Sequence, residues 1–336
     1  MSSYQSDEGA PWYVALLLII LLVVGGGGAY VLISGGDLFA AILGTGSEDA
    51  DEDADEEGDG ADEGAGSDEL EPASFSDYSW SELAQVADLV ADAGSDEEAA
   101  AIAEEWGVSV GSTRSVTLDD GTRATLTVVG LCADELADGS GVAGLTLMLS
   151  QISTQAMNSE DTAVGGWESS ELRNWLASEG LALLPDELEA EVATVTKTTN
   201  NTGKASSADA VSTTEDTLWL FSVSEVCGEV TWFVDEFGEP LSSNGWTDFS
   251  TYDELLSAEG EQYEYFADAG VTGESGGSGV LALTDATTTP WWYRTPYPYS
   301  FDGWDSGCFY QVMGSGYPSS VGLASSEAGV VVGLCL

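Results

Sequence analysis

Apolar and polar positions divide the chain into stretches of very different character. Residues 12–33, WYVALLLIILLVVGGGGAYVLI, carry no charged side chain over about the length that crosses a bilayer. Trp12, Tyr13 and Tyr30 suit the two membrane interfaces. A single N-terminal transmembrane helix is therefore predicted over 12–33, behind a short tail of residues 1–11. Glycines 25–28 are tolerated in such a helix. A cleavable signal peptide is the rival reading, and the length of the run and the missing basic n-region count against it. Residues 34–73 follow as an acidic linker. Its stretch 47–72, SEDADEDADEEGDGADEGAGSDELEP, cannot bury enough apolar surface to fold and is expected to be disordered.

Helical spacing begins after the linker. SWSE at 79–82 and SDEE at 95–98 fit the capping box, each ahead of a run rich in Ala and Leu. Leu83, Val86, Ala87 and Val90 recur at the helical period. Two helices, about 80–92 and 96–105, are predicted as a helical cap spanning 74–106.

From residue 107 to 336 the pattern becomes mixed and predicts a globular α+β domain. RSVTLDDGTRATLTVVGL reads as a β-hairpin turning at Asp120-Gly121. Residues 143–149 and 217–223 read as strands, as do the closing CFYQVM and GVVVGLCL. SSELRNWLASEG, with Leu172, Trp175 and Leu176 on one face, reads as a helix ending at Gly180, and Pro185 opens another. Residues 198–216 and 270–289, rich in Ser, Thr, Gly and Asn, read as surface loops.

Charge narrows the partners. Sixty acids against six Lys and Arg give a formal net charge of -54. Nucleic acid is excluded, because phosphate binding needs clustered bases, and docking on anionic lipid is disfavoured. An acidic, lysine-poor chain also suits very high salt, but here the excess is concentrated in one segment. The positive-inside rule has nothing to count before Arg114. The membrane potential instead favours moving negative charge outward by roughly 2.3 kcal/mol per 100 mV. That places the acidic block and the C-terminal domain outside a cell membrane crossed once.

The chain has no His, which removes Ser-His-Asp, Cys-His and His-bearing zinc chemistry. Cys132, Cys227, Cys308 and Cys335 lie far apart without a CxxC spacing. Cys308 and Cys335, on two late strands, are the favoured disulfide, with four unpaired buried thiols as the alternative.

DADEEG at 53–58 is not an EF-hand, since position twelve would be Gly64. CADELADGSG offers Asp134 and Asp138, with Glu135, as calcium candidates, against a plain solvated turn. No other cofactor is expected. Lys197 and Lys204 flank a polar loop and read as solvated. Arg173 sits between Leu172 and Trp175, and Arg294 lies within PWWYRTP. A guanidinium there either lines an aromatic ligand pocket or staples an irregular loop to a core carboxylate. The staple reading is preferred.

Seven blocks carry a resemblance. They are LADGSGVAGLTL, MNSEDTAVGGWESSELRNWL, LPDELEAEVATVTKTTN, STTEDTLWLFSVSEVCG, EGEQYEYF, WWYRTP and GVVVGLCL, in that order. Over about 77–336 the chain resembles the domain of unknown function 6273, common in cell-surface and secreted proteins of gut Gram-positive bacteria. The resemblance carries no catalytic residue. Its ending looks like that of C-type-lectin-like domains, which implies a variable ligand-binding surface at about 297–328. On that analogy Tyr297, Tyr299, Trp304, Tyr310 and Tyr317 would meet ligand, while Trp167, Arg173, Trp175, Trp291, Trp292 and Arg294 would anchor the fold. The lectin calcium triplets are missing, so calcium-dependent sugar binding is not implied. Relatives often carry His where this chain has LCAD, which leaves Cys132 in an unusual place.

Together these readings predict a membrane-anchored, outward-facing, non-catalytic binding module. Its partners would be the membrane through 12–33 and a glycan or protein ligand outside the cell. A carboxylate-based hydrolase of cell-wall or host glycans is the first alternative, and a passive structural surface protein the second.

Overall fold

Ser79 and Ser95 each hold the chain extended and turn it into a helix. In the computed structural model, which describes residues 70–201, 211–232, 250–277, 279–283, 289–298 and 307–336, the Ser79 N–H donates to the Glu82 carboxylate at 2.7 Å. The Ser79 hydroxyl accepts from the Glu82 N–H, and helix α1 runs Trp80–Ala91. Ser95 caps helix α2, Asp96–Glu105, by accepting from the Glu98 N–H, but the expected box is incomplete, since the Glu98 carboxylate accepts from the Gly94 N–H instead. Leu83, Val86, Ala87 and Val90 form the buried stripe of α1. They pack into the core of the following sheet, so the helical pair is one wall of a larger domain.

The sheet begins with β1 (Thr113–Thr117), β2 (Arg123–Glu135) and β3 (Val142–Ala156). The hairpin turns at Asp120-Gly121, where Gly121 takes a φ of 87°. After β3 come short helices, α3 (Glu171–Trp175) and α4 (Asp186–Glu189), and a separate antiparallel hairpin of β4 (Val195–Asn200) and β5 (Val211–Asp216). Then follow β6 (Trp219–Leu220), helices α5 (Val223–Cys227), α6 (Ser250–Ser257) and α7 (Glu264–Asp268), and a two-stranded ribbon of β7 (Val271–Thr272) and β8 (Ser275–Gly276). The main sheet is completed by β9 (Trp291–Pro296), β10 (Cys308–Val312), β11 (Ser320–Leu323) and β12 (Glu327–Cys335).

Strand order is β1-β2-β3-β12-β9-β10-β11, with β6 also pairing β12. All pairings are antiparallel except the short parallel contact of β12 with β9 at Gly329 and Trp291. Strand β12 is buried from Ala328 to Cys335, as its unbroken apolar run requires of a strand covered on both faces. Alternation divides two cores. Leu145, Leu147, Leu149, Val330, Val332 and Trp292 face the side covered by α1. Met148, Val331, Trp291 and Tyr293 face the side of α5, α6 and α7, with Val226, Leu256 and Phe266.

Helix α1 lies almost on the backbone of β3. A Cβ on Gly144 would stand 1.9 Å from the Ala87 carbonyl oxygen. Because both neighbours are backbone, neither can rotate away. Gly144→Ala is expected to cost ~3 kcal/mol by forcing helix and sheet apart; urea denaturation of the variant checks this, and an unchanged midpoint would refute the close approach.

Several expectations are corrected. The fold class anticipated a transmembrane helix followed by a mixed α+β domain of C-type-lectin-like character. Among the described residues no helix is long and apolar enough to cross a membrane, and the domain is sheet-rich with mostly short helices. Residues 12–33 and nearly all of the linker lie outside the described residues. The strand expected at 217–223 shrinks to Trp219–Leu220, because Ser222 and Glu225 form a second capping box that starts α5. The loop expected over 198–216 instead includes the paired strands β4 and β5. Cys308 and Cys335 are free thiols. Strand β9 lies between β10 and β12, and positions two strands apart are separated by about 10 Å, beyond the ~7 Å that a disulfide spans.

Candidate functional site

The described residues hold two chemically distinct places: a sealed cluster of charges and an exposed hairpin. The cluster begins with alternation in β4, where Val195, Lys197 and Thr199 point inward. Lys197 is 4% exposed. Its Nζ lies 2.6 Å from Asp134 Oδ1 and 2.5 Å from Glu225 Oε1. Trp219 and Tyr263 stack around it, with ring centroids at 4.8 and 5.5 Å from Nζ. This environment corrects the solvated-loop reading of Lys197.

Asp134 reaches the interior through an irregularity in β2. The β2–β3 register shifts between Leu131 and Asp134, and Cys132 takes a φ of 50°, the one positive φ outside glycine among the described residues. The Cys132 thiol donates to the Val90 carbonyl at 3.3 Å, tying the bulge to α1. Asp134 then accepts from the Thr146 hydroxyl at 2.6 Å and from the Tyr263 hydroxyl at 3.0 Å. Both carboxylate oxygens are thus engaged, while Asp138 sits in the exposed turn and accepts from the Ser140 N–H. The two calcium candidates therefore have different tasks. Among the described residues no group of three or more metal-binding side chains forms.

Arg294 is fully buried on β9. Its guanidinium pairs with both carboxylate oxygens of Glu225. It also donates to the carbonyls of Leu220 and Thr198, both at 3.0 Å, and of Glu259 at 2.6 Å. One side chain thereby joins β4, β6, α5 and the turn after α6 to β9. The Glu259 carboxylate accepts from the Asn200 N–H at 2.9 Å and from the Thr295 hydroxyl. Gly260 allows this crowding: its φ is 140°, and a Cβ there would meet Glu225 Cγ at 2.9 Å.

Two cations thus face three carboxylates, Asp134, Glu225 and Glu259. Burial raises the Glu225 carboxyl, but Arg294 and then Lys197 more than offset it and leave its pKa at about 2. Burial dominates at Glu259, where Arg294 compensates only in part, and its pKa is pushed up to about 7. Burial alone would discharge the Lys197 ammonium, but Glu225 and then Asp134 outweigh it and raise its pKa. Burial, Glu225 and Asp134 hold the Tyr263 phenol well above its ordinary value, so it serves as a neutral donor.

Of the other anchors, Trp167, Trp291 and Trp292 are buried, while Arg173 and Trp175 are half-buried. Trp167 Nε1 donates to Asp216 at 3.1 Å, and Arg173 Nε pairs with the same carboxylate at 2.6 Å. Trp291 Nε1 donates to the Leu281 carbonyl and Trp292 Nε1 to that of Gln155. Trp175 packs half-buried against the core. Among the expected ligand residues, Tyr299 and Trp304 lie outside the described residues. Tyr310 is 3% exposed, with ring centroids 5.4 Å from Tyr297 and 5.5 Å from Trp232. Tyr297 is half-buried, and Tyr317 stands 44% exposed in the turn between β10 and β11. Of the five exposed large hydrophobics among the described residues, Met313, Tyr317 and Leu323 belong to this one hairpin.

In sequence Lys197 reads as solvated, and Glu225, Glu259 and Tyr263 do not stand out. Two signals were present: Ser222-x-x-Glu225 repeats the capping-box spacing, and Lys197 occupies an inward position between Val195 and Thr199.

A family model described as a domain of unknown function (DUF6273) matches residues 143–336. No curated protein and no solved structure matches the chain.

Proposed function

We propose, for a chain that belongs to the DUF6273 family, that the domain is a non-catalytic binding module whose ligand, a glycan or a protein, meets the β10–β11 hairpin. The observation that carries this reading is the concentration of exposed Met313, Tyr317 and Leu323 on that hairpin, whose β11 ends the main sheet among the described residues. A half-exposed ring such as that of Tyr317 gives contact area at little entropic cost, and a strand at a sheet edge is a common place for a partner to meet the fold. The chemically versatile groups Asp134, Lys197, Glu225 and Arg294 are instead buried and paired. That favours binding over a carboxylate hydrolase, whose acid and base must reach water and substrate.

The localisation proposed with it is the outer side of a cell membrane, resting on the sequence of residues 12–33 and the acidic block 47–72. Protease added to intact cells should remove the domain; survival until lysis would overturn that placement.

The binding reading is tested with glycan and protein arrays probed by the wild-type chain and by Tyr317→Ala. Truncating an exposed aromatic at an interface centre typically costs ~2 kcal/mol, so the variant should lose about thirtyfold in affinity for whichever array responds. Equal signal from the two chains would remove this hairpin from the interface.

A further inference from the structure

We propose that Lys197 and Asp134 condense to an intramolecular isopeptide bond, so that β4 is tied covalently to the bulged end of β2. Four features of the site converge on this step. The amine and the carboxyl are in contact, with Nζ 2.6 Å from Oδ1. A second carboxylate, Glu225 Oε1, lies 2.5 Å from the same nitrogen and can carry its proton. Two hydroxyl donors, from Thr146 at 2.6 Å and Tyr263 at 3.0 Å, hold Oδ2, where negative charge would develop. The walls are aromatic, formed by Trp219 and Tyr263, and all of these groups are buried.

An ammonium is no nucleophile, so the step starts with proton transfer from Nζ to Asp134 Oδ1, which gives a neutral amine and a carboxylic acid. The amine lone pair then attacks Cγ, and the carbonyl π pair moves onto Oδ2 under the Thr146 and Tyr263 donors. A second proton leaves Nζ for Glu225 Oε1 and is passed to Oδ1. The Cγ–Oδ1 bond breaks with its electron pair, Oδ1 departs as water, and the Cγ=Oδ2 double bond reforms. Amine and acid become amide and water, with nothing oxidised or reduced.

Charge balance favours the product. Condensation removes one buried cation and one buried anion together, and the desolvation cost of both goes with them. Arg294 remains paired with Glu225 through two hydrogen bonds, so neither is stranded. Contact, held for the life of the folded protein, substitutes for a high reactant concentration.

The test is mass spectrometry of the full chain, reduced and denatured. The wild-type chain should be lighter than its sequence by one water, and Lys197→Met should show its full sequence mass. Digestion at Asp and Glu should yield a branched peptide joining the segments that contain Asp134 and Lys197. This peptide decides the matter even if Lys197→Met does not fold. A linear Lys197 peptide in the folded wild-type protein overturns the proposal, whether the intact mass is full or a water has been lost elsewhere.

Discussion

An Arg294→Met chain is expected to lose about 3–5 kcal/mol of folding stability, the cost of breaking a buried ion pair from one side. Methionine fills much of the volume but offers no donor. Glu225 would keep its charge without the guanidinium that pairs both of its oxygens, and the carbonyls of Leu220, Thr198 and Glu259 would lose their shared partner. Arg294→Lys should recover little, because an ammonium is a point charge and cannot satisfy a bidentate carboxylate and three carbonyls in one plane. Urea denaturation followed by tryptophan fluorescence measures both. A loss below ~1 kcal/mol for the methionine variant would mean that the guanidinium does not hold these segments together.

Glu259 produces the second large effect, and its sign is opposite to that of an ordinary carboxylate. Its pKa is raised from 4.5 to about 7, so the folded state binds the proton more tightly than the unfolded state does. Its contribution is complete below pH 4.5 and is lost as pH rises through about 7. A shift of that size corresponds to ~3 kcal/mol. Glu225 runs the other way: lowered to about 2, it stabilises above pH 4.5 and is lost as pH falls through about 2. Glu259→Gln should therefore flatten the decline between about pH 4.5 and 7 and leave the variant at least as stable as wild type at pH 8. The amide reproduces the neutral acid, accepting from the Asn200 N–H and donating to Thr295. Midpoints measured across that range decide it; a variant that keeps the wild-type slope would show that Glu259 is not the group titrating.

What could be read in advance follows physical range. Helices α1 and α2 start at local serine and glutamate signals three residues apart, so their positions were legible from sequence. The Asp120-Gly121 hairpin and the apolar run of β12 are equally local. The charged cluster is not: Lys197 meets Asp134 across 63 positions, and Arg294 meets Glu225 across 69. In TKTTN the lysine is flanked by threonines, so its strand has no apolar alternation, and only the fold supplies the carboxylates that make burial tolerable. The capping box at Ser222 was hidden for a related reason. Its serine follows WLF, whose β propensity masks the turn into α5. Arg294 was legible as a staple because aromatic neighbours on a strand imply burial, whereas its partner was not.

The central place of β12 has a further consequence, for how the chain acquires its structure. Strands β1, β2 and β3 pair with near neighbours and can form early. The main sheet joins its two halves only when β12 arrives to meet β3, β6 and β9 together. Loop closure over so long a separation is slow. Until then β3 and β9 each present an open edge beside Leu147, Leu149 and Trp292, the kind of surface on which partly folded chains aggregate. A net charge of -54 acts most directly at that moment, keeping unfinished molecules apart by mutual repulsion.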